Sequence, residues 1–126
     1  MSLRDEIETA AVALDRYKTP DVSEIKDKLD ALLVAGKLGS IQHDRLESLS
    51  VYENHLNIVT NYSVRGCFQC AEYTLPMSVI TADDPLDAVK VWAKAQRVEA
   101  AKNEVRAAER NLEWAKAHLL KVEQED

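Results

Sequence analysis

The chain has 126 residues, of which 46% are hydrophobic and 30% are charged. This length and apolar fraction predict one folded domain over residues 1–126 and exclude a largely disordered chain. Sixteen basic and 22 acidic residues give a net charge of −6, which argues against direct binding to nucleic acid.

The compartment is predicted from hydropathy at the start of the chain and along its length. No apolar run is long enough to span a membrane, and the opening residues, Met-Ser-Leu-Arg-Asp-Glu, lead into charged sequence rather than an apolar signal region. We therefore expect a cytoplasmic protein that does not bind a membrane. In that compartment Cys67 and Cys70 are expected to be reduced.

Three helices are predicted in the first half of the chain, so residues 1–60 are expected to form a helical part. Ser2 can cap a first helix over residues 3–17, in which apolar residues recur every three or four positions. Thr19-Pro20 restarts a second helix, and Gly36 is placed to end it in a left-handed conformation. A less regular third helix is predicted over residues 41–59.

A β-hairpin is predicted over residues 61–82, where the apolar period changes to two. The alternation predicts two strands that turn near residues 69–71. Gly66 then falls within the first strand and indicates a bulge or a close approach by another backbone. Pro76 cannot donate a ladder hydrogen bond, so the second strand is expected to have a free edge there.

One long helix is predicted over residues 84–123, opened by Asp84 as a cap and Pro85 at the first helical position. Its second half carries apolar residues at alternating steps of three and four, which is typical of a coiled coil. The complete prediction is an α+β fold that is mainly α, with N-terminal helices, a β-hairpin and a long C-terminal coiled-coil-like helix. The positions that form the predicted coiled-coil face are Val98, Ala101, Val105, Ala108, Leu112, Ala115, Leu119 and Val122.

The long helix is predicted to make the protein a homo-oligomer, either a dimer or larger. At about 1.5 Å per residue it is more than twice as long as either of the first two helices, so packing within the chain cannot cover it. A second column recurs every seven residues at Ala93, Ala100, Ala107 and Trp114; surface alanines and a flat-lying tryptophan are the alternative interpretation. The predicted oligomer interface comprises Val105, Ala107, Leu112, Trp114 and Leu119.

Charge favours an antiparallel over a parallel partner for this helix. In a parallel pair Arg97 would face Lys102, and Glu104 would face Glu109. An antiparallel partner avoids these contacts, and alanine in one core column permits a close approach of the two helices. The expected partner is the chain's own first helix, a symmetry-related copy, or both.

Two cysteines and two histidines are weak candidates for a metal site. Cys67-Phe-Gln-Cys70 is a lone C-x-x-C motif without a second pair, so His43 and His55 would have to complete four zinc ligands. Cysteines three apart in a strand point to opposite faces, which opposes this arrangement. We therefore expect neither a metal nor a cofactor.

No catalytic motif stands out in the sequence. There is no serine or cysteine nucleophile signature, no glycine-rich phosphate loop and no histidine with a recognisable orienting partner. Carboxylates occur among lysines, as they do on solvated helix faces. The chain is therefore expected not to be an enzyme.

The predicted hairpin is the better candidate for binding another protein. It combines aromatic and planar polar side chains of the kind enriched at interaction hot spots. The alternation also allows the aromatics to face the core, with the arginine and the glutamine pointing outward. The candidate partner-binding residues are Tyr62, Arg65, Phe68, Gln69 and Tyr73.

The expected function is that of a non-enzymatic protein–protein interaction and assembly module. It would oligomerise through the long helix and bind another protein through the hairpin. One alternative is a small acidic inhibitor of the kind phages carry, which would block a nucleic-acid-binding or defence enzyme; acids gathered on one face would favour it. A second alternative is a small-ligand binder at an oligomer interface.

Overall fold

The computed structural model of this protein describes residues 2–17 and 20–125. It is an α+β structure with a long C-terminal helix, which confirms the predicted fold class. The three strands form one antiparallel sheet in the order β1-β2-β3. The elements are α1 (Leu3–Arg16), α2 (Ser23–Ala35), β1 (Arg45–Tyr52), β2 (His55–Val64), β3 (Cys67–Pro76), α3 (Met77–Ile80) and α4 (Pro85–Glu123).

The first helix forms where its cap predicts it. The Asp5 backbone N–H donates to Ser2 Oγ over 3.2 Å, which satisfies one of the free N–H groups of the first turn. Ile7 and Ala10 are buried, so the three-four spacing gives the packed face of α1.

The second helix begins later than predicted and ends differently. Thr19 lies outside the described residues, and α2 starts at Ser23, whose backbone N–H and hydroxyl both donate to the Asp21 carboxylate. The prediction that Gly36 is left-handed is wrong, since its φ is −82° and Lys37 takes the left-handed conformation. Gly36 instead allows close packing, because a Cβ there would lie 3.2 Å from Val89 Cγ2.

The predicted third helix over residues 41–59 is wrong. This stretch contains β1 and the first half of β2, so residues 1–60 are not a purely helical part. A bulge lies between Leu46 and Ser48, and it allows Leu46 and Leu49, three positions apart, both to be buried. That spacing is the one an amphipathic helix would show.

The hairpin exists, but its boundaries are shifted from the predicted residues 61–82. Its strands are β2 and β3, and they turn at Arg65 and Gly66 rather than at residues 69–71. Gly66 therefore occupies a turn and not a strand bulge. Pro76 ends β3, which is an edge strand, and the next residue begins α3.

One face of the sheet is buried against the helices. Along β2 the alternate residues Leu56, Ile58 and Thr60 have no measurable exposure, and the Thr60 hydroxyl donates to Asp44 Oδ2 over 3.1 Å. The buried Thr60 hydroxyl therefore has a hydrogen-bond partner. The other core members are Ile7, Ala10, Ile25, Leu29, Leu32, Leu33, Ile41, Leu46, Leu49, Leu75, Val79, Ile80 and Val89.

The chain divides within α4 into one compact unit that ends at Ala93 and a second that begins at Lys94. In the first unit, Val89 and Ala93 are the buried residues of α4. In the second, every described residue from Lys94 to Glu125 is exposed. No described helix combines the length and the apolar character needed to cross a membrane.

Candidate interaction surfaces

The first candidate surface is the β2–β3 tip, defined here as residues 62–70. Arg65 and Gly66 form its two-residue turn with φ values of 52° and 83°, and Val64 pairs with Cys67 beside them. Positive φ at both turn positions is the geometry that matches the twist of paired strands. Residues 63–70 are all exposed, so the tip extends beyond the part of the sheet that the helices cover.

One face of the β2–β3 tip continues the face that is buried further down the sheet. Tyr62 pairs with Gln69, and the Tyr62 hydroxyl donates to Gln69 Oε1 over 3.1 Å. Because paired residues share a face, Gln69 lies beside Tyr62. The sequence predicted instead that Gln69 points outward with Arg65, away from the aromatics, and this prediction is wrong. The turn at Arg65-Gly66 sets this register.

Tyr73 belongs to the packed part of the same face. It is partly buried against the core, and a Cβ on Gly39 would lie 3.0 Å from its ring. Partial burial, followed by the negative charge of Asp44 and the proximity of Tyr62, raises the pKa of the Tyr73 hydroxyl. Of the predicted partner-binding residues, Tyr73 is therefore the one most engaged within the fold.

Phe68 and Cys70 lie on the opposite face of the hairpin. Phe68 pairs with Ser63 and is 84% exposed. Below it, the Cys70 thiol donates to Asn61 Oδ1 over 2.9 Å, and Asn61 Nδ2 donates to the Glu47 carboxylate. A fully exposed phenylalanine above a polar cluster is the most prominent apolar group of this surface.

The four weak metal candidates are not brought together. Cys67 pairs with Val64 and Cys70 with Asn61, so the two thiols lie on opposite faces of β3, as the strand period predicts. Within residues 2–17 and 20–125 no group of three or more His, Cys, Asp or Glu side chains could hold a metal ion. His55 lies next to the β1–β2 turn, where its Nδ1 is 2.9 Å from the Glu53 carbonyl oxygen.

The second candidate surface is the α4 heptad face, which comprises the eight positions of the predicted coiled coil. Its larger column, Val98, Val105, Leu112 and Leu119, is 44% to 57% exposed. The other column is Ala101, Ala108, Ala115 and Val122, and all four are exposed. Regularly spaced, exposed apolar side chains thus continue along about seven turns of helix.

The second predicted column on α4 leads to an exposed aromatic pair. Trp114 is 70% exposed, and its ring stacks on that of His118 with 5.4 Å between centroids and 1° between planes. Ala107 lies two helical turns before it and is exposed. The stacking covers one side of the indole and leaves the rest of the column accessible.

Charges of both signs are mixed along the second unit. Between Lys94 and Glu125 there are seven basic and six acidic residues. Arg106 lies 3.7 Å from Glu99 and also donates to Asn103. Acids are therefore not gathered on α4 in the manner expected of a nucleic-acid mimic.

The sequence did not predict two further surface features. Tyr52 lies beside the β1–β2 turn and is 73% exposed. The alternation of Leu49, Ser50 and Val51 could have indicated this, because in a strand Tyr52 shares the polar face of Ser50. A cavity of about 690 Å³ lies among α1, α2 and the segment before α4, with Lys28 on its wall. The Lys28 ammonium is 2.6 Å from Glu6, and this hydrogen bond raises its pKa.

Comparison with known proteins assigns no family to these surfaces. No protein-family model matches the chain, and no curated protein or solved structure is significantly similar to it.

Proposed function

We propose that this chain is a non-enzymatic protein–protein interaction and assembly module. The α4 heptad face docks a helix and makes the protein oligomeric, and the β2–β3 tip contacts a second protein. The observation that carries the proposal is the exposure of a regular coiled-coil pattern along the whole second unit.

Energetics support helix docking at this face. Leu112 and Leu119 each leave more than half of their surface in water. Burying a fully exposed side chain of this kind contributes about 1.5–3 kcal/mol, so covering the exposed part of each leucine contributes about half of that. Most of the stability of a helix in a protein comes from packing of its apolar face rather than from intrinsic helix propensity. Docking a second helix would therefore both bury the apolar columns and stabilise the helix.

The β2–β3 tip supports a second contact. Phe68 is nearly as exposed as a free side chain, and Arg65 stands at the turn beside it. Aromatic residues and arginine dominate binding energy at protein interfaces. Their position beyond the covered sheet means that changing them leaves the core unaltered.

The first test measures mass. Light scattering at micromolar concentration should give a multiple of the 14.2 kDa chain mass for the wild type. Leu112→Lys should reduce the assembled fraction at least tenfold, because a charge would replace a core side chain. Ala117→Lys adds the same charge on the other side of α4 and is the control that should assemble normally. A wild type that stays monomeric would contradict oligomerisation.

The second test addresses the β2–β3 tip. In a pull-down from lysate, Arg65→Glu and Phe68→Ser should each abolish partner capture, since charge reversal or loss of an anchor in a desolvated contact costs several kcal/mol. Tyr52→Ser removes a comparably exposed aromatic beside the other turn and should not change capture. Helix content and oligomer mass should be those of the wild type in all three variants.

The pull-down also decides between the proposal and the inhibitor alternative. The inhibitor would be favoured if the captured protein is a basic nucleic-acid-binding enzyme. In that case charge reversals at Glu104, Glu109 and Glu113 should abolish capture, and Arg65→Glu should leave it unchanged. The mixed charges of α4 give no support to that outcome.

A further inference from the structure

The charged side chains beside the α4 heptad face follow a pattern of their own. One position after each residue of the alanine-rich column stand Lys102, Glu109, Lys116 and Glu123. All four are exposed, and their sign alternates at every heptad. We call these four residues the alternating column.

We propose that the α4 heptad face docks a second copy of this chain in antiparallel orientation, with Glu109 of one copy beside Lys116 of the other. This inference rests on the proposed function, because it names the occupant of the same face. In an antiparallel coiled coil the alternating column of one helix faces the same column of its partner in reverse order. The reversed order of this column has the opposite charge at every position.

The register follows from that reversal. It gives opposite-charge pairs between Lys102 and Glu123 and between Glu109 and Lys116, each occurring twice by symmetry. The core layers then pair Leu112 with Ala115 and Leu119 with Ala108, a large side chain against a small one. Val105 meets Val122 at the ends, and all these residues lie in the unit that begins at Lys94.

Neighbouring arrangements are less favourable. If the contact region of both helices moves one heptad toward their N-termini, Lys94 enters the core opposite Leu119. The register halfway between that one and the proposed one places Glu109 beside Glu109 of the other copy. A parallel pair sets Glu104 against Glu109. The proposed register has one kind of like-charged pair, Glu104 with Glu125, which occurs twice by symmetry and involves a residue beyond the end of α4.

A helix from elsewhere in the same chain does not fit the α4 heptad face. The apolar residues of α1, Ile7 and Ala10, are already buried in the core of the first unit, as are Leu29 and Leu33 of α2. A second copy supplies both the matching apolar columns and the complementary charge.

The test is a charge swap, with the dimer dissociation constant measured by sedimentation equilibrium at low ionic strength. Glu109→Lys and Lys116→Glu should each weaken the dimer roughly tenfold, since each change makes two symmetric pairs repulsive. The double variant should restore the wild-type constant. Glu113→Lys, a charge reversal outside the alternating column, is the matched control and should have little effect.

Each other outcome points to a different arrangement. Stronger dimerisation of Glu109→Lys would indicate a parallel pair, and no change would indicate the intermediate register. An effect of Glu109→Lys that the double variant does not rescue would indicate the shift toward the N-terminus. Any of these overturns the inference while docking through α4 stands.

Failure of the proposed function itself looks different. A monomeric wild type whose unidentified partner is lost on Leu112→Lys would leave α4 as a docking helix for another protein and overturn self-association. A monomeric wild type on which Leu112→Lys has no effect at all would overturn both proposals. Circular dichroism of each variant confirms that the fold is retained.

Discussion

At the residue scale, two glycines with positive φ differ in what surrounds them. Gly39 has a φ of 146°, and a Cβ there would lie 3.0 Å from the Tyr73 ring. Gly66 has a φ of 83° but faces open space. Backbone strain acts at both positions, whereas crowding acts at Gly39 alone.

We therefore predict that Gly39→Ala lowers the free energy of unfolding by about 2–3 kcal/mol. Gly66→Ala should lower it by about 1 kcal/mol, because a left-handed alanine is strained but has room. Urea denaturation of the two variants measures the difference. Equal losses would mean that the Tyr73 ring moves aside without cost, which would contradict its packed position beneath the β2–β3 tip.

For the β2–β3 tip, the sequence predicts the face of a side chain only where that face follows from alternation along one strand. Alternation along one strand places Cys67 and Cys70 on opposite faces, and this does not depend on the register with the neighbouring strand. The orientation of Gln69 and Phe68 required the turn to be located at Arg65-Gly66. An arginine in the first left-handed position is not among the residues that mark such turns, so this turn has only a weak signal in the sequence.

At the scale of elements, α1 and α4 were predictable because strong local signals mark their ends. Ser2 and Asp84 each accept a backbone hydrogen bond in the first turn, and Pro85 begins α4. The strands β1 and β2 lacked such signals. The bulge between Leu46 and Ser48 gives β1 a helix-like spacing, so only tertiary pairing distinguishes it from a helix.

Trp114 tests whether α4 uses its second column as well as its heptad face. We predict that Trp114→Lys weakens assembly two- to fivefold, less than Leu112→Lys, because Trp114 belongs to a separate column of α4 and not to the eight core positions. Sedimentation velocity across a dilution series gives the comparison. His118→Ala removes the stacked ring and leaves the indole, so it separates loss of the tryptophan from loss of the stack. Unchanged assembly in Trp114→Lys would make Trp114 an ordinary surface residue.

At the scale of the whole molecule, stability comes from two different sources. Every buried core residue lies between Ile7 and Ala93, so the first unit contains the hydrophobic core. The second unit has no buried residue among those described. Docking of this helix onto a partner would add to its stability, because most helical stability in proteins comes from packing of the apolar face. The single domain predicted over residues 1–126 would unfold in one transition, and that stays a prediction.

This division predicts a melting behaviour that depends on concentration. Thermal unfolding followed at 222 nm should show one transition that is independent of protein concentration, from the first unit, and a second that moves to higher temperature as concentration rises, from α4. Mass action requires the shift, because dimerisation stabilises only the assembled helix. Leu112→Lys should remove the concentration dependence and leave the first transition in place. A single transition that does not move over a hundredfold range would mean that α4 is held within one chain, and it would exclude assembly as the source of its stability.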